Sequence, residues 1–330
     1  LTGAPRNRRQ PRSSQRRSWQ THELSSDRSE LVGEPGVIVA HHGVAVSVRL
    51  DADRELRPVK VKRRSGHVVG DRVQVVGERL HRLERQTQLR RRDAMGNVHT
   101  VAANLDVLGV VLAPVPPSPT GFVDRALIAA EAAGLLPFLV INKADLAETP
   151  ALVESIQQTW LEGPGAIDVP IYCVSAASGE GLDALREHLA GHRPGLGHRG
   201  AFVGTSGVGK SSLVNALLPR VELPVGEINQ LSGLGRHTTT TATLHALPDG
   251  GELIDTPGFR DFGLVDINVA DLALHFPGFA PLLAAQGCRF NDCRHRAEPD
   301  CTIKLAVEHG RLARPRWDRY LELLAELEGC

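Results

Sequence analysis

The sequence predicts a multidomain α/β protein with a small β-barrel first, a central strand–helix domain next and a helical region last. Three observations predict it. Residues 32–92 break into short alternating strands punctuated by glycine; from about 104 apolar strands alternate with helical stretches; beyond about 262 strand character gives way around a cluster of cysteines. A chain of 330 residues exceeds one typical core, and 42% apolar with 23% charged residues is an ordinary globular balance. No run of about 18 apolar residues is present, which argues against a helical membrane span. The opening "LTGAPRNRRQPRSSQRRSWQ" carries Arg without an apolar stretch behind it, unlike a secretory signal. The cytoplasm is the expected compartment, and a monomer the expected state.

Residues 1–30 are rich in Arg, Ser, Gln and Pro and offer almost nothing to bury, so a disordered basic tail is expected. Residues 31–95 follow as the barrel. "GVIVAHHGVAVSVRL" contains two strands with Gly43 at the break, and "GDRVQVV" another. An OB-fold is the natural basic example, although periodicity alone fits an SH3-like barrel equally. Net charge is zero, yet residues 57–92 hold twelve Lys/Arg against Asp71, Glu78 and Glu84. That local excess points to a polyanionic partner for this region, against the plainer reading of a solvated basic face.

Residues 96–262 form the central domain. "LDVLGVVLA", "LPFLVIN", "PIYCVSA" and "RGAFVG" read as strands; "GFVDRALIAAEAAG", "GLDALREHL" and "KSSLVNALL" read as helices, the first closed by Gly134. "TATLHAL" and "GELID" complete a series expected to build a parallel sheet covered on both faces. "APVPPSPTG" is a loop within it. Residues 263–330 are helical and end in the amphipathic "RPRWDRYLELLAELE".

"GTSGVGKS" at 204–211 fits G-x-x-x-x-G-K-[ST] between a strand and a helix. Its Gly204, Thr205, Ser206, Gly207, Val208 and Gly209 would wrap backbone N–H groups around phosphates. Lys210 would neutralise β/γ-phosphate charge, Ser211 would ligate Mg²⁺, and Ser212 follows it at the helix start. Asp255 of "DTPG" sits at a strand end, where it can hold Mg²⁺ through water, and the Gly258 N–H can reach a γ-phosphate. In "NKAD", Asp145 can accept from the N1–H and 2-amino group of guanine, a pair of donors adenine lacks. Asn142 can reach the base edge, Lys143 can lie along the ring and brace the phosphate loop, and Ala144 completes the tetrapeptide. "SAASGEGL" adds a second base-contacting loop through Ser175, Ala176 and Ala177. "GRHTTTTATL" occupies the switch position, with Thr239 and Thr240 as candidates to complete the Mg²⁺ shell. The elements of a guanine-nucleotide site are thus present in the order base, base, phosphate, switch, switch. Such a site is defined in space, so joining old termini and opening new ones preserves it. The expected central domain is therefore a circularly permuted P-loop GTPase domain.

Five cysteines occur, three of them within "CRFNDCRHRAEPDC". Cys288, Cys293, His295 and Cys301 make a C-x₄-C-x-H-x₅-C set that suits one tetrahedral, structural Zn²⁺. Cys173, in an apolar run, is expected in the core.

The permuted order together with this metal spacing resembles the RsgA (YjeQ/EngC) family of circularly permuted small-ribosomal-subunit biogenesis GTPases. The resemblance spans about 32–328 and is carried by "AANLD", "NKADL", "SAASGEGL", "GTSGVGKSSLVN", "GRHTTT", "DTPGFRDFGL" and "GCRFNDCRHRAEPDC". It implies an OB-fold, a permuted GTPase domain and a C-terminal zinc domain. It also implies GTP hydrolysis stimulated by the small (30S) ribosomal subunit and binding to its rRNA late in assembly. A nucleotide-gated RNA-binding module with incidental turnover is the alternative. Phe259 stands where Ras-like enzymes carry a water-orienting glutamine, and His237 is the catalytic candidate in its place, with a structural role in the switch or an rRNA contact as the other reading of that histidine.

Overall fold

The computed structural model describes residues 33–93, 95–191, 197–218, 242–255, 264–265 and 267–329. The first strands are β1 (Glu34–His41), β2 (Ala45–Leu50), β3 (Leu56–Lys60), β4 (Arg72–Val76) and β5 (Arg79–Arg82). All pair antiparallel in the order β3-β2-β1-β4-β5, and β5 approaches β3 to form a five-stranded, partly open barrel of OB type. Strict inward alternation in β2 and β4 delivers Val46, Val48, Leu50, Val73 and Val75 to one core, with Ile38 and Val59. Gly43 turns between β1 and β2 at φ +82°. A register shift between Ile38 and Ala40 bends β1 as it leaves the barrel.

A hairpin of β6 (Gln88–Arg92) and β7 (Val98–Ala103) leads into the central sheet. There follow β8 (Val107–Leu112), α1 (Phe122–Ala132), β9 (Leu136–Ile141) and α2 (Thr149–Ile156), which is continued by a π-helical turn at Gln157–Leu161. Then come β10 (Ile171–Cys173), α3 (Leu182–Ala190), β11 (Arg199–Val203), α4 (Lys210–Leu217), β12 (Thr243–Ala246) and β13 (Glu252–Asp255). The order is β10-β9-β8-β11-β13-β12, with the first five strands parallel. All six residues of β8 are buried, the pattern of a strand covered on both faces. One face packs Leu108, Val110 and Leu112 against α1; the other packs Val107, Val111 and Phe138 against α3 and α4.

Two expectations are corrected here. The sheet is mixed, because β12 pairs antiparallel with β13: the short link 247–251 allows a hairpin but is far too short for a parallel crossover. Cys173 is exposed, because β10 is a three-residue edge strand and its last side chain faces out.

The last helices are α5 (Leu272–His275), α6 (Ala280–Ala285), α7 (Thr302–Glu308) and α8 (Arg314–Glu328). No strand occurs among the described residues beyond 262. Phe276, Phe279, Ile303, Ala306, Tyr320, Leu323 and Leu324 form their core, and Ile128 of α1 joins it. The amphipathic α8 docks by charge as well. Arg319 Nε lies 3.5 Å from the buried Asp124 of α1, Arg125 pairs with Glu326, and the buried Arg316 donates to the carbonyls of Thr159 and Gly165. Arg316 also lies 5.1 Å above the Trp160 ring.

Candidate nucleotide and metal sites

Ligands of open α/β sheets sit beyond the carboxyl ends of the parallel strands. The loops after β8 (113–121), β9 (142–145), β10 (174–181) and β11 (204–209) all leave from that end. The early "NKAD" and the later "GTSGVGKS" therefore meet in space despite their order in the chain.

Asn142 shows the meeting most directly. It is 2% exposed, its Nδ2 donates to Val208 O at 2.9 Å, and its Oδ1 accepts from Ala176 N at 3.1 Å. One side chain ties the phosphate loop to the second base loop. Sequence reasoning placed Asn142 at the base edge; here both ends of its amide serve backbone. The contact also explains Gly209, at φ +92°, since a Cβ there would stand 2.3 Å from Asn142 Nδ2.

Lys143 adopts φ +68° and its Nζ donates to Gly207 O at 2.9 Å and to Val115 O at 2.6 Å. It braces the phosphate loop on one side and the Pro-rich loop on the other. The buried Thr149 holds this backbone turn by donating from Oγ1 to Lys143 O at 2.7 Å. Ser175 is fully buried; its hydroxyl donates to Asp145 Oδ1 and accepts from Ala177 N and Ser178 N at 3.3 and 3.1 Å. Ala144 N donates to Val174 O at 3.0 Å, joining the two base loops again. The Asp145 side chain is exposed, and one of its oxygens is held by the Ser175 hydroxyl.

In the phosphate loop, Val208 is buried and anchors the turn, while Ser206 and Gly207 are exposed. Lys210 Nζ bonds Gly204 O at 2.6 Å and Thr205 O at 2.9 Å. Ser211 is exposed on the first turn of α4 and Ser212 is half-buried beside it. Burial raises the Asp255 carboxyl above its ordinary range and the Lys210 charge opposes that rise, placing cation and acid together at the end of β13. Gly258, His237, Thr239 and Thr240 lie outside the described residues. Sequence reasoning missed Val115 and Pro116, whose ring lies 3.1 Å from the Cβ position of Gly207. Their signal was positional: the Pro-rich loop follows the carboxyl end of β8, in the same row as the other site loops.

In the C-terminal region the ligand atoms of Cys288, Cys293, His295 and Cys301 lie within 4.8 Å of one another. His295 Nδ1 is 3.5 Å from Cys288 Sγ and 3.4 Å from Cys301 Sγ. His295 has φ +57°, and its carbonyl accepts from Trp317 Nε1 of α8 at 2.8 Å. Glu298 accepts the N–H groups of Arg294, Arg296 and Ala297 and so closes the intervening turn. Burial, with the neighbouring thiols, pushes the Cys293 thiol up to about 12. Three crowded sulfurs and one imidazole, offered inward, make a set that can hold a metal ion.

A doubly covered sheet, a strand–P-loop–helix unit and an Asn-Lys-x-Asp loop two strands away, tied to it by Asn142, together define a P-loop GTPase, here with the base loops first. The comparisons place it more narrowly. Residues 82–265 match the RsgA GTPase family. The chain is 40% identical over 307 residues to the small ribosomal subunit biogenesis GTPase RsgA of Pseudomonas syringae pv. tomato, covering 89% of this chain and 86% of that protein. The crystal structure of YjeQ from Thermotoga maritima superposes with TM-score 0.68 at 29% identity, over 90% of this chain and 99% of that one. YloQ, described as a circularly permuted GTPase, shares the fold at TM-score 0.64 and 23% identity, over 90% and 96% of the two chains. This chain belongs to the RsgA GTPase family.

Proposed function

We propose that this GTPase acts in late assembly of the small ribosomal subunit, docking on rRNA through its barrel and hydrolysing GTP faster when docked. The observation that carries the nucleotide half is Asn142, which locks the phosphate loop to the base loops. In this reading Asp145 reads guanine, with Lys143, Ala144 and 175–177 framing the base. Residues 204–212 hold the phosphates, and Ser211 and Asp255 hold Mg²⁺ with Thr239 or Thr240. Gly258 senses the γ-phosphate and His237 positions the attacking water.

The rRNA half rests on charge and on the relatives' names. Arg57, Arg72 and Arg85 are spent on Glu34, Asp51 and Asp71, but Lys60, Lys62, Arg63, Arg64 and Arg79 stay exposed around the β3–β4 loop and β5. The barrel has no Phe, Tyr or Trp between 33 and 93, so backbone and shape contacts replace base stacking. In this reading the metal is Zn²⁺: three thiolates and one imidazole are a common structural zinc set, and the S–N separations of 3.5 and 3.4 Å are compatible with tetrahedral ligation. Its role is structural, and the cytoplasm is its compartment. No described helix is long and apolar enough to cross a membrane.

Salt-dependent co-sedimentation with purified small subunits tests the docking half. Binding should fall steeply between 50 and 200 mM salt, as about five phosphate contacts require. Binding that is absent at low salt, or indifferent to salt, would remove the rRNA role.

A further inference from the structure

The barrel is joined to the nucleotide sheet at two ends of one strand. At the carboxyl end of β13, Thr243 pairs with Asp255 on one side and with Ala40 of β1 on the other. A single backbone row therefore runs from the barrel, across the first strand after the switch, to the proposed Mg²⁺ carboxylate. At the amino end, Glu252 is held by two arginines from different parts of the molecule. Arg49 of β2 reaches Oε1, and Arg199 at the start of β11 grips Oε2 through Nε at 2.8 Å and Nη2 at 2.6 Å. Arg199 also donates to Gly70 O and Asn104 O, both at 3.3 Å, while Asn104 Nδ2 donates to Gly70 O at 2.9 Å. Gly70 in turn donates to Ile38 O of β1. The side chains of Arg49, Glu252 and Arg199 are only 14%, 18% and 15% exposed.

A largely buried ion cluster is a poor stabiliser, because desolvating its charges offsets most of their attraction. Directional, charge-assisted bonds instead fix orientation. Glu252 and Arg199 open the two strands that end at Asp255 and at the phosphate loop. A β-strand of four residues is about 10 Å of stiff backbone, so a tilt of the barrel applied at Arg49 is delivered to Asp255.

We propose that Arg49 is a positioning residue for the stimulated reaction: through Glu252 it converts seating of the barrel on its polyanionic partner into placement of Asp255. This rests on the reading that the subunit stimulates turnover. The test uses the full chain with Arg49→Met, Arg49→Gln as a second charge-removing variant, and Arg49→Lys as the conservative one. Each is measured for basal GTP turnover, subunit affinity, and kcat at saturating subunit. Arg49→Met and Arg49→Gln should keep basal turnover and subunit affinity within about twofold and lose about tenfold in stimulated kcat. Arg49→Lys should restore most of it. Equal stimulated kcat in wild type and in the folded charge-removing variant would overturn the junction alone. Loss that appears only as weaker subunit binding would overturn it too, making Arg49 a docking residue. A wild-type chain that small subunits bind but do not stimulate would overturn the underlying reading and the junction with it.

Discussion

Replacing Asn142 with Ala isolates the contact that assembles the nucleotide site. The substitution deletes a donor at 2.9 Å to Val208 O and an acceptor at 3.1 Å from Ala176 N, in a position 2% exposed. Water cannot readily replace either bond, so two backbone groups lose their partner at about 1–3 kcal/mol each. Partial relaxation of the loops keeps the sum near 2–4 kcal/mol, about 3–6 °C in the thermal midpoint for a chain of this size. With the loops uncoupled, nucleotide must order them on binding, and GTP affinity should fall at least tenfold. The assay is thermal unfolding without nucleotide, paired with titration of GTP. If Asn142 instead served chiefly to read the base, nucleotide-free stability would be untouched and only affinity would fall. A midpoint within 1 °C of wild type would therefore refute the bracing role.

Asp145→Ala should weaken GTP about a hundredfold, the loss of two charge-assisted bonds, while leaving the feeble binding of ATP unchanged; a parallel loss for both nucleotides in competition binding would contradict base reading. Stripping the metal with a chelator should raise hydrogen exchange throughout 288–302 and along α7, because residues 288–301 contain no helix or strand and rest on the core through Cys301 and the His295–Trp317 contact. Unchanged exchange after verified metal loss would show that the lobe stands without it. Burial raises the Asp124 carboxyl to about 6, against the opposing charges of Arg319 and Arg316. Because the folded value lies above the ordinary 3.8, the native state holds a proton the unfolded state has lost, and stability from this group falls as pH climbs from about 4 through 6. Asp124→Asn should flatten the fall in unfolding free energy between pH 5 and 7 by about 1 kcal/mol; identical slopes would contradict the shift.

Much of this architecture was legible in the sequence where function or period is local. "GTSGVGKS" lies between β11 and α4 as its strand–loop–helix context requires, and the last amphipathic run coincides with α8. The Cys₃His spacing brought its four ligand atoms together. What escaped depends on distance in space. The hairpin strand "QLRRR" shows no alternation, since only Leu89 is buried, and α2 is one short Thr-Pro-led segment extended by a π turn. The direction of β12 follows from the length of its link rather than from its composition. A base-edge role for Asn142 can be read from its motif, whereas its bracing contacts depend on Val208 and Ala176, 66 and 34 residues away. The docking of α8 by Arg316 and Arg319 is equally invisible until Thr159, Gly165 and Asp124 are seen around it.

The proposed function is tested most directly by GTP turnover measured with and without purified small subunits, at one salt concentration where docking is saturated. It predicts slow turnover alone and a rise of at least tenfold in kcat with the subunit present, with ATP giving neither. Turnover equal in both conditions, with the subunit bound, would contradict it.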